Sequence, residues 1–196
     1  MQILKEDVRQ RILDAACDEF YESGYAKASV REIAKASSVS LSNIYNYFPS
    51  KDALFDAIVC DVSLALLNLL NTVNISHSSD ENKEMPRDKF FDLLTSKLLE
   101  IISCNSRQTV ILIEKSDGSR FESTKASLVS LLAAHFAAEL NTGDDPSGSV
   151  LYNVIASGFI TGIIRLIDNA GDNLSAAENI RFFMKYHLNG INSLKA

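Results

Sequence analysis

Apolar residues recur at helical spacing along almost the whole chain, and alternating, strand-like patterns are scarce. From Asp7 to Ser23, Leu13, Ala16, Cys17 and Phe20 form one stripe, with Ile12 widening it. Gly24 then supplies a helix stop. Ser29 and Glu32 read as a reciprocal capping box opening a second helix on Val30, Ile33 and Ala34. Ser37 and Ser38 break that pattern. Ser40 can cap a third helix, Leu41 to Asn46, in which Ile44 points inward. Ser42, Asn43, Tyr45 and Asn46 are left on its outer side. A short helix with polar side chains outward, held by a partner across a tight turn, suits a DNA major groove.

Pro49, Ser50 and Lys51 start a fourth helix, with Ser50 as N-cap and Asp52 in its first turn. Its apolar positions run from Leu54 through Val62, Leu66 and Leu70 to Val73. It links the first three helices to the rest of the chain. The polar stretch from Asn74 to Glu84 reads as a loop. Pro86 opens a fifth helix on Phe90, Phe91, Leu94, Leu98 and Ile101, broken between Ser103 and Arg107. Thr109 to Lys115 is either a short buried helix or a strand, because periodicity cannot decide so short a run. Phe121 to Leu140 and Ser149 to Asn169 are long helices, separated by the loop Asn141 to Gly148. After Ala170 to Asn173, a second capping box, Ser175 with Glu178, starts a last helix through Ile191. The expectation is an all-α chain of about nine helices. Residues 1–50 form a helix-turn-helix DNA-binding domain, and residues 51–196 a larger helical domain.

Composition changes this picture little, and charge sharpens it. The chain has 196 residues, 46% hydrophobic and 22% charged, enough for a sizeable core. Its net charge of -6 is distributed unevenly. From Lys27 to Lys51 the cations Lys27, Arg31, Lys35 and Lys51 face Glu32 alone, a small basic patch on an acidic body. Cys17, Cys60 and Cys104 fit neither a zinc spacing nor a disulfide framework, and read as buried free thiols in a reducing cytoplasm, with a redox-sensing thiol as the alternative. The opening residues lack a signal-peptide core. No uninterrupted apolar run is long enough for a membrane span, and the nearest, Val150 to Ile167, is broken by Asn153, Ser157, Thr161 and Arg165.

The residues RILDAACDEFYESGY followed by SVREIAKASSVSLSNIYNYFPSKDALF resemble the TetR family of bacterial transcriptional regulators. Ile33-Ala34, Val39-Ser40, Ile44-Tyr45, Tyr47-Phe48 and Ser50-Lys51 stand at that family's spacing, over roughly Arg9 to Ala57. The resemblance implies a homodimer paired through its last two helices, each subunit's first three helices reading half of a palindromic operator. It further implies a small-molecule effector whose binding moves the fourth helix and releases DNA. By matched position, Ser29 holds a phosphate and Arg31 reaches backbone or a base edge. Ser40, Leu41, Ser42 and Asn43 lie in the groove. Tyr45, Asn46, Tyr47 and Lys51 meet phosphates, and Lys27 lies near the same surface. The effector pocket falls among Leu66, Leu70, Phe90, Phe91, Leu94, Leu98, Phe121, Tyr152 and Phe159, which serve equally well as core.

Two departures from that pattern stand out. Ser38 occupies a turn position where the family often has Gly, so the turn either differs or carries strain. Leu41, Ser42 and Asn43 replace a cation followed by Gly-Thr, leaving no Lys or Arg between Ser38 and Ser50. Affinity then leans on flanking cations and hydroxyls, with a modest salt dependence. Asn43 can pair with adenine and Leu41 can pack on a thymine methyl, which points to A/T in the half-site.

Other chemistry is absent from the pattern. The chain has no G-x-S-x-G elbow, P-loop or G-x-G-x-x-G, so no enzyme and no cofactor is expected. His77, His135 and His187 share no ligand spacing, so no metal site is expected. Gly158 and Gly162, in GFITG, suggest close helix–helix approach. A helical module sensing a small molecule or protein partner without specific DNA binding is the competing expectation.

Overall fold

The computed structural model of the chain describes residues 5–76, 87–140, 146–169 and 173–193. These are helical throughout apart from short connections, and contain no strand. Eight helices follow in order: α1 (Glu6–Lys27), α2 (Val30–Ser37), α3 (Leu41–Tyr47), α4 (Lys51–Ser76), α5 (Arg87–Glu114), α6 (Thr124–Leu140), α7 (Pro146–Asp168) and α8 (Asn173–Ser193).

The count falls below nine because the fifth and sixth expected helices are one. Asn105, at φ -139° and ψ 37°, kinks α5 within the expected break but does not end it. Its side-chain amide donates to the Ile101 carbonyl at 3.1 Å, bracing the kink. The ambiguous run after it is helical, and Thr109, Val110, Ile111, Leu112 and Ile113 are all buried. An all-round apolar helix is what full burial demands. Of the loop expected from Asn74, residues Asn74, Ile75 and Ser76 belong to α4, and positions 77–84 lie outside the described residues. Likewise α7 starts at Pro146, and the rest of the expected loop before it lies outside. The last helix begins at Asn173, so Ser175 sits inside α8 rather than at its cap.

The chain divides into two compact units. The first comprises the described residues up to Ser63 together with Arg107–Thr124; the second comprises the described residues of Leu64–Ser106 and those from Lys125 onward. This line differs from one drawn after the third helix, because compactness follows packing and not helix order.

The first unit is built on aromatic side chains. Phe20 and Phe55 meet edge to face at 4.9 Å, Tyr25 meets Phe55 at 4.9 Å, and Phe121 lies 6.1 Å from Phe55. Ile12, Ala16, Ile33, Ile44, Leu54 and Val59 complete the core. The stripe of α1 is centred one residue from the expected one: Ile12, Ala15 and Ala16 are buried, whereas Leu13 and Cys17 are half-buried. Arg107–Thr124 is bound to α1 and α4 at several points. The Tyr25 N–H donates to the Lys115 carbonyl at 2.8 Å. Arg107 pairs with Asp18 and stacks over Tyr21, and Arg120 donates to Asp56 at 2.8 Å. Gly24, at φ 72°, lets the backbone turn beside Lys115, a conformation L side chains rarely adopt.

In the second unit, Leu132, Ala133 and Phe136 of α6 pack with Tyr152 and Ala156 of α7, and Leu70 and Phe159 lie against them. A methyl on Gly162 would stand 2.2 Å from Cζ of Phe183, so this glycine permits α8 to approach α7. A methyl on Gly158 would meet nothing within 4 Å among the described residues.

Two stretches, Lys51–Thr72 and Val150–Asp168, are long and apolar enough to cross a membrane by length and average composition, although neither is an uninterrupted apolar run. The helices simply run through the polar interruptions. Leu54, Phe55, Val59 and Val62 of the first, and Tyr152, Ala156, Ile163 and Ile167 of the second, are buried against protein. Core helices pass the same compositional test.

Candidate nucleic-acid interface

The turn between α2 and α3 is set by Ser38, in the left-handed region at φ 56° and ψ 36°. The Val39 N–H reaches the Ala34 carbonyl at 3.0 Å and the Ser38 N–H reaches the Lys35 carbonyl at 3.2 Å. This is a Schellman closure with serine where glycine is the easy residue. The turn therefore keeps its shape and carries the strain. Buried Ser37 folds its hydroxyl back to the Ile33 carbonyl at 2.7 Å, and Arg11 donates to the Ser37 carbonyl at 3.2 Å. The capping box expected at Ser29 does not form: the Ser29 side chain makes no cap, and its N–H donates to the carboxylate of Glu19 at 3.0 Å. A tertiary partner has replaced the local one.

Ser40 caps α3 as expected, accepting from the Asn43 N–H at 3.3 Å. Ile44 is buried and anchors the helix. Ser42, Tyr45 and Asn46 are exposed on the opposite side, Tyr45 at 45%. Leu41, Asn43 and Tyr47 flank that face and are half-buried. Ser40 and Ser42 hydroxyls lie 3.3 Å apart, and the Asn46 amide donates to the Asn43 carbonyl oxygen at 3.4 Å. These long, exposed bonds exchange readily for bonds to a ligand. Lys27, Arg31 and Lys35 are exposed, and Ser29 is half-buried.

Two members of the expected set are committed to the protein. The Lys51 ammonium donates to the carbonyls of Tyr25 at 2.8 Å and Ala28 at 3.4 Å, and lies 4.4 Å from the centre of the Tyr25 ring. The Tyr47 hydroxyl accepts from the Lys5 N–H at 2.9 Å and donates to the Lys5 carbonyl at 3.3 Å. Sequence spacing could not reveal these partners, which are 26 and 42 residues away. Tyr25 itself donates to Asp52, and burial first, then that bond and the charges of Asp52 and Asp56, pushes its phenol up to about 12.

Leu70, Tyr152 and Phe159 share the α6–α7 core, Leu98 is buried, and Leu66, Phe90, Phe91 and Leu94 are half-buried. Phe121 packs on Phe55 in the first unit. His187 lies edge-on to Phe159 at 4.9 Å, with Nδ1 3.0 Å from the Phe183 carbonyl, while His77 lies outside the described residues. Cys17 and Cys60 are half-buried, and burial raises the Cys17 thiol pKa. Cys104 is exposed, against the expectation of a buried thiol.

Residues 12–58 match the family model described as bacterial regulatory proteins, tetR family, so this stretch is similar to that family. It is 33% identical over 103 residues to the uncharacterized HTH-type transcriptional regulator YdgC of Bacillus subtilis (strain 168), covering 42% of this chain and 53% of that protein. It is 41% identical over 59 residues to the HTH-type transcriptional regulator UidR of Escherichia coli (strain K12), covering 30% of each. The matched stretch thus spans about half, or less, of these curated relatives. A crystal structure of a TetR-family transcriptional regulator from Bordetella parapertussis 12822 shares the fold at a TM-score of 0.63 and 21% identity, covering 94% of this chain and 98% of that one.

Proposed function

We propose that this chain is a DNA-binding transcriptional regulator, a repressor that binds a palindromic operator as a homodimer in the cytoplasm and is released by a small molecule. One observation carries the reading. Ser42, Tyr45 and Asn46 form an exposed polar face on a short helix, rigidly held by buried Ile44 and by the closed turn at Ser38. That arrangement suits a major groove. Residues 1–50 carry DNA contact, through Ser29, Arg31, Ser40, Leu41, Ser42, Asn43, Tyr45 and Asn46 with the flanking cations; residues 51–196 carry effector binding and dimerisation. Asn43 pairs with adenine and Leu41 packs on a thymine methyl.

Pairing through the last two helices is supported by their exposed apolar positions. Val150, Leu151 and Val154 of α7 are 67%, 51% and 63% exposed, and Phe182 and Tyr186 of α8 are 76% and 66% exposed. Concentrated apolar exposure of this kind marks an interaction surface. α4 contributes to both units as one helix, so displacement of its second half by an effector reaches the first. Lowering operator affinity about 100-fold requires the effector to prefer the non-binding conformation by roughly 2.7 kcal/mol.

The test is a mobility shift with DNA flanking the protein's own coding region. A shift weakened by added salt is expected. Its absence on every native fragment overturns the proposal and favours a sensing module without DNA binding. Selection from a random duplex pool checks the base reading, and G/C-only contacts under α3 would sink it.

A further inference from the structure

We infer that Lys5 is an additional DNA-phosphate contact, and that Tyr47 acts by positioning it; this rests on the DNA-binding reading above. The Tyr47 hydroxyl bridges both backbone polar groups of Lys5, accepting from its N–H at 2.9 Å and donating to its carbonyl at 3.3 Å. The residue just before α1 is thereby fastened to the last turn of α3, on the flank shared with Asn43. The Lys5 carbonyl also receives the N–H groups of Val8 and Arg9 at 3.2 and 3.1 Å, so the position is fixed from the α1 side as well. Its long side chain is exposed.

The charge inventory around α3 gives this position weight. α3 contains no cation, and the C-terminal end of a helix favours one nearby. The Lys51 ammonium is turned toward two carbonyls and the Tyr25 ring. Arg9 pairs with Glu6 at 3.5 Å and lies 5.6 Å from the Phe48 ring centre, and Arg11 donates to the Ser37 carbonyl. Lys27, Arg31 and Lys35 are exposed but belong to α1's far end and α2. Lys5 brings a charge to the end of α3 that its own sequence lacks. Two acids follow it: Glu6, held by Arg9, and Asp7, in the first turn of α1, where the helix dipole favours negative charge.

The experiment titrates the full chain into the DNA fragment flanking its own coding region at several salt concentrations. It uses Lys5→Ala, Lys5→Arg, Tyr47→Phe and the Lys5→Ala/Tyr47→Phe pair, each with a thermal melt to confirm folding. Lys5→Ala is expected to reduce the slope of log K against log salt by about 0.9 per subunit. Lys5→Arg restores the slope. Tyr47→Phe weakens binding in the parent but has no further effect once Lys5 is alanine. An unchanged slope in Lys5→Ala, with a salt-sensitive parent, overturns this inference alone. Additive losses in the pair also overturn it, since Tyr47 would then touch DNA itself. A parent that shifts no fragment overturns the DNA-binding reading and this inference with it.

Discussion

Ser38 holds the helix-turn-helix at a cost. A left-handed conformation disfavours an L residue by roughly 1–2 kcal/mol, and glycine returns part of that through a floppier unfolded chain. Ser38→Gly should therefore raise stability by about 0.5 kcal/mol and the melting temperature by one or two degrees. Melting at or below the parent would show that the serine is relaxed there. Tyr25 gives a pH dependence. An unfolded tyrosine ionises near 10, whereas the folded phenol holds its proton to about 12 through burial and its bond to Asp52. Its contribution is intact below pH 10 and lost as pH rises from 10 to 12, because the unfolded chain gives up its proton first. The parent should lose stability across that window more steeply than Tyr25→Phe, as followed by thermal melts. Lys51→Met should cost about 1–3 kcal/mol, since two carbonyls lose a charged donor. Reduced DNA binding by that variant reports phosphate contact only if its melting temperature is unchanged, and a drop is expected. Position was legible at these residues and partnership was not. Ser40 as a cap needed only its neighbours, but Lys51, Tyr47 and Ser29 are satisfied by groups 10 to 42 residues away.

Among the helices, local pattern located nearly every one and misjudged ends and joins. The break after Ser103 was visible, yet the helix bends at Asn105 and continues, because the apolar run after it is buried on all sides. Helical spacing could not decide that run; burial did. The glycines of GFITG looked equivalent, but only Gly162 meets a neighbour. The Phe183 ring beside it is braced by Phe159 at 5.7 Å and His187 at 4.3 Å, and cannot swing away freely. Gly162→Ala should destabilise by about 1–3 kcal/mol, as overpacked sites do. Gly158→Ala adds helix propensity in open space and should not destabilise the subunit. Denaturant unfolding of the two variants measures the contrast, and equal midpoints would contradict it.

For the whole molecule, the exposed positions on α7 and α8 carry the prediction of assembly. Placing glutamate at both Phe182 and Tyr186 should convert a dimer to a monomer in light scattering while leaving helix content intact; an unchanged mass would exclude this face. The first unit has a different consequence. It is stitched from two separated lengths of chain, with Asp18, Gly24, Tyr25 and Asp56 answered by Arg107, Lys115 and Arg120. Such a reading head cannot be passed between relatives as one contiguous cassette. A recombinant exchanged only up to Ser63 would inherit a foreign partner for its own core, and a faithful transplant needs crossovers around Arg107–Thr124 as well. Substitutions acquired in that second length fall inside the core of the unit that carries α3, so the reading head and the middle of the chain cannot diversify independently.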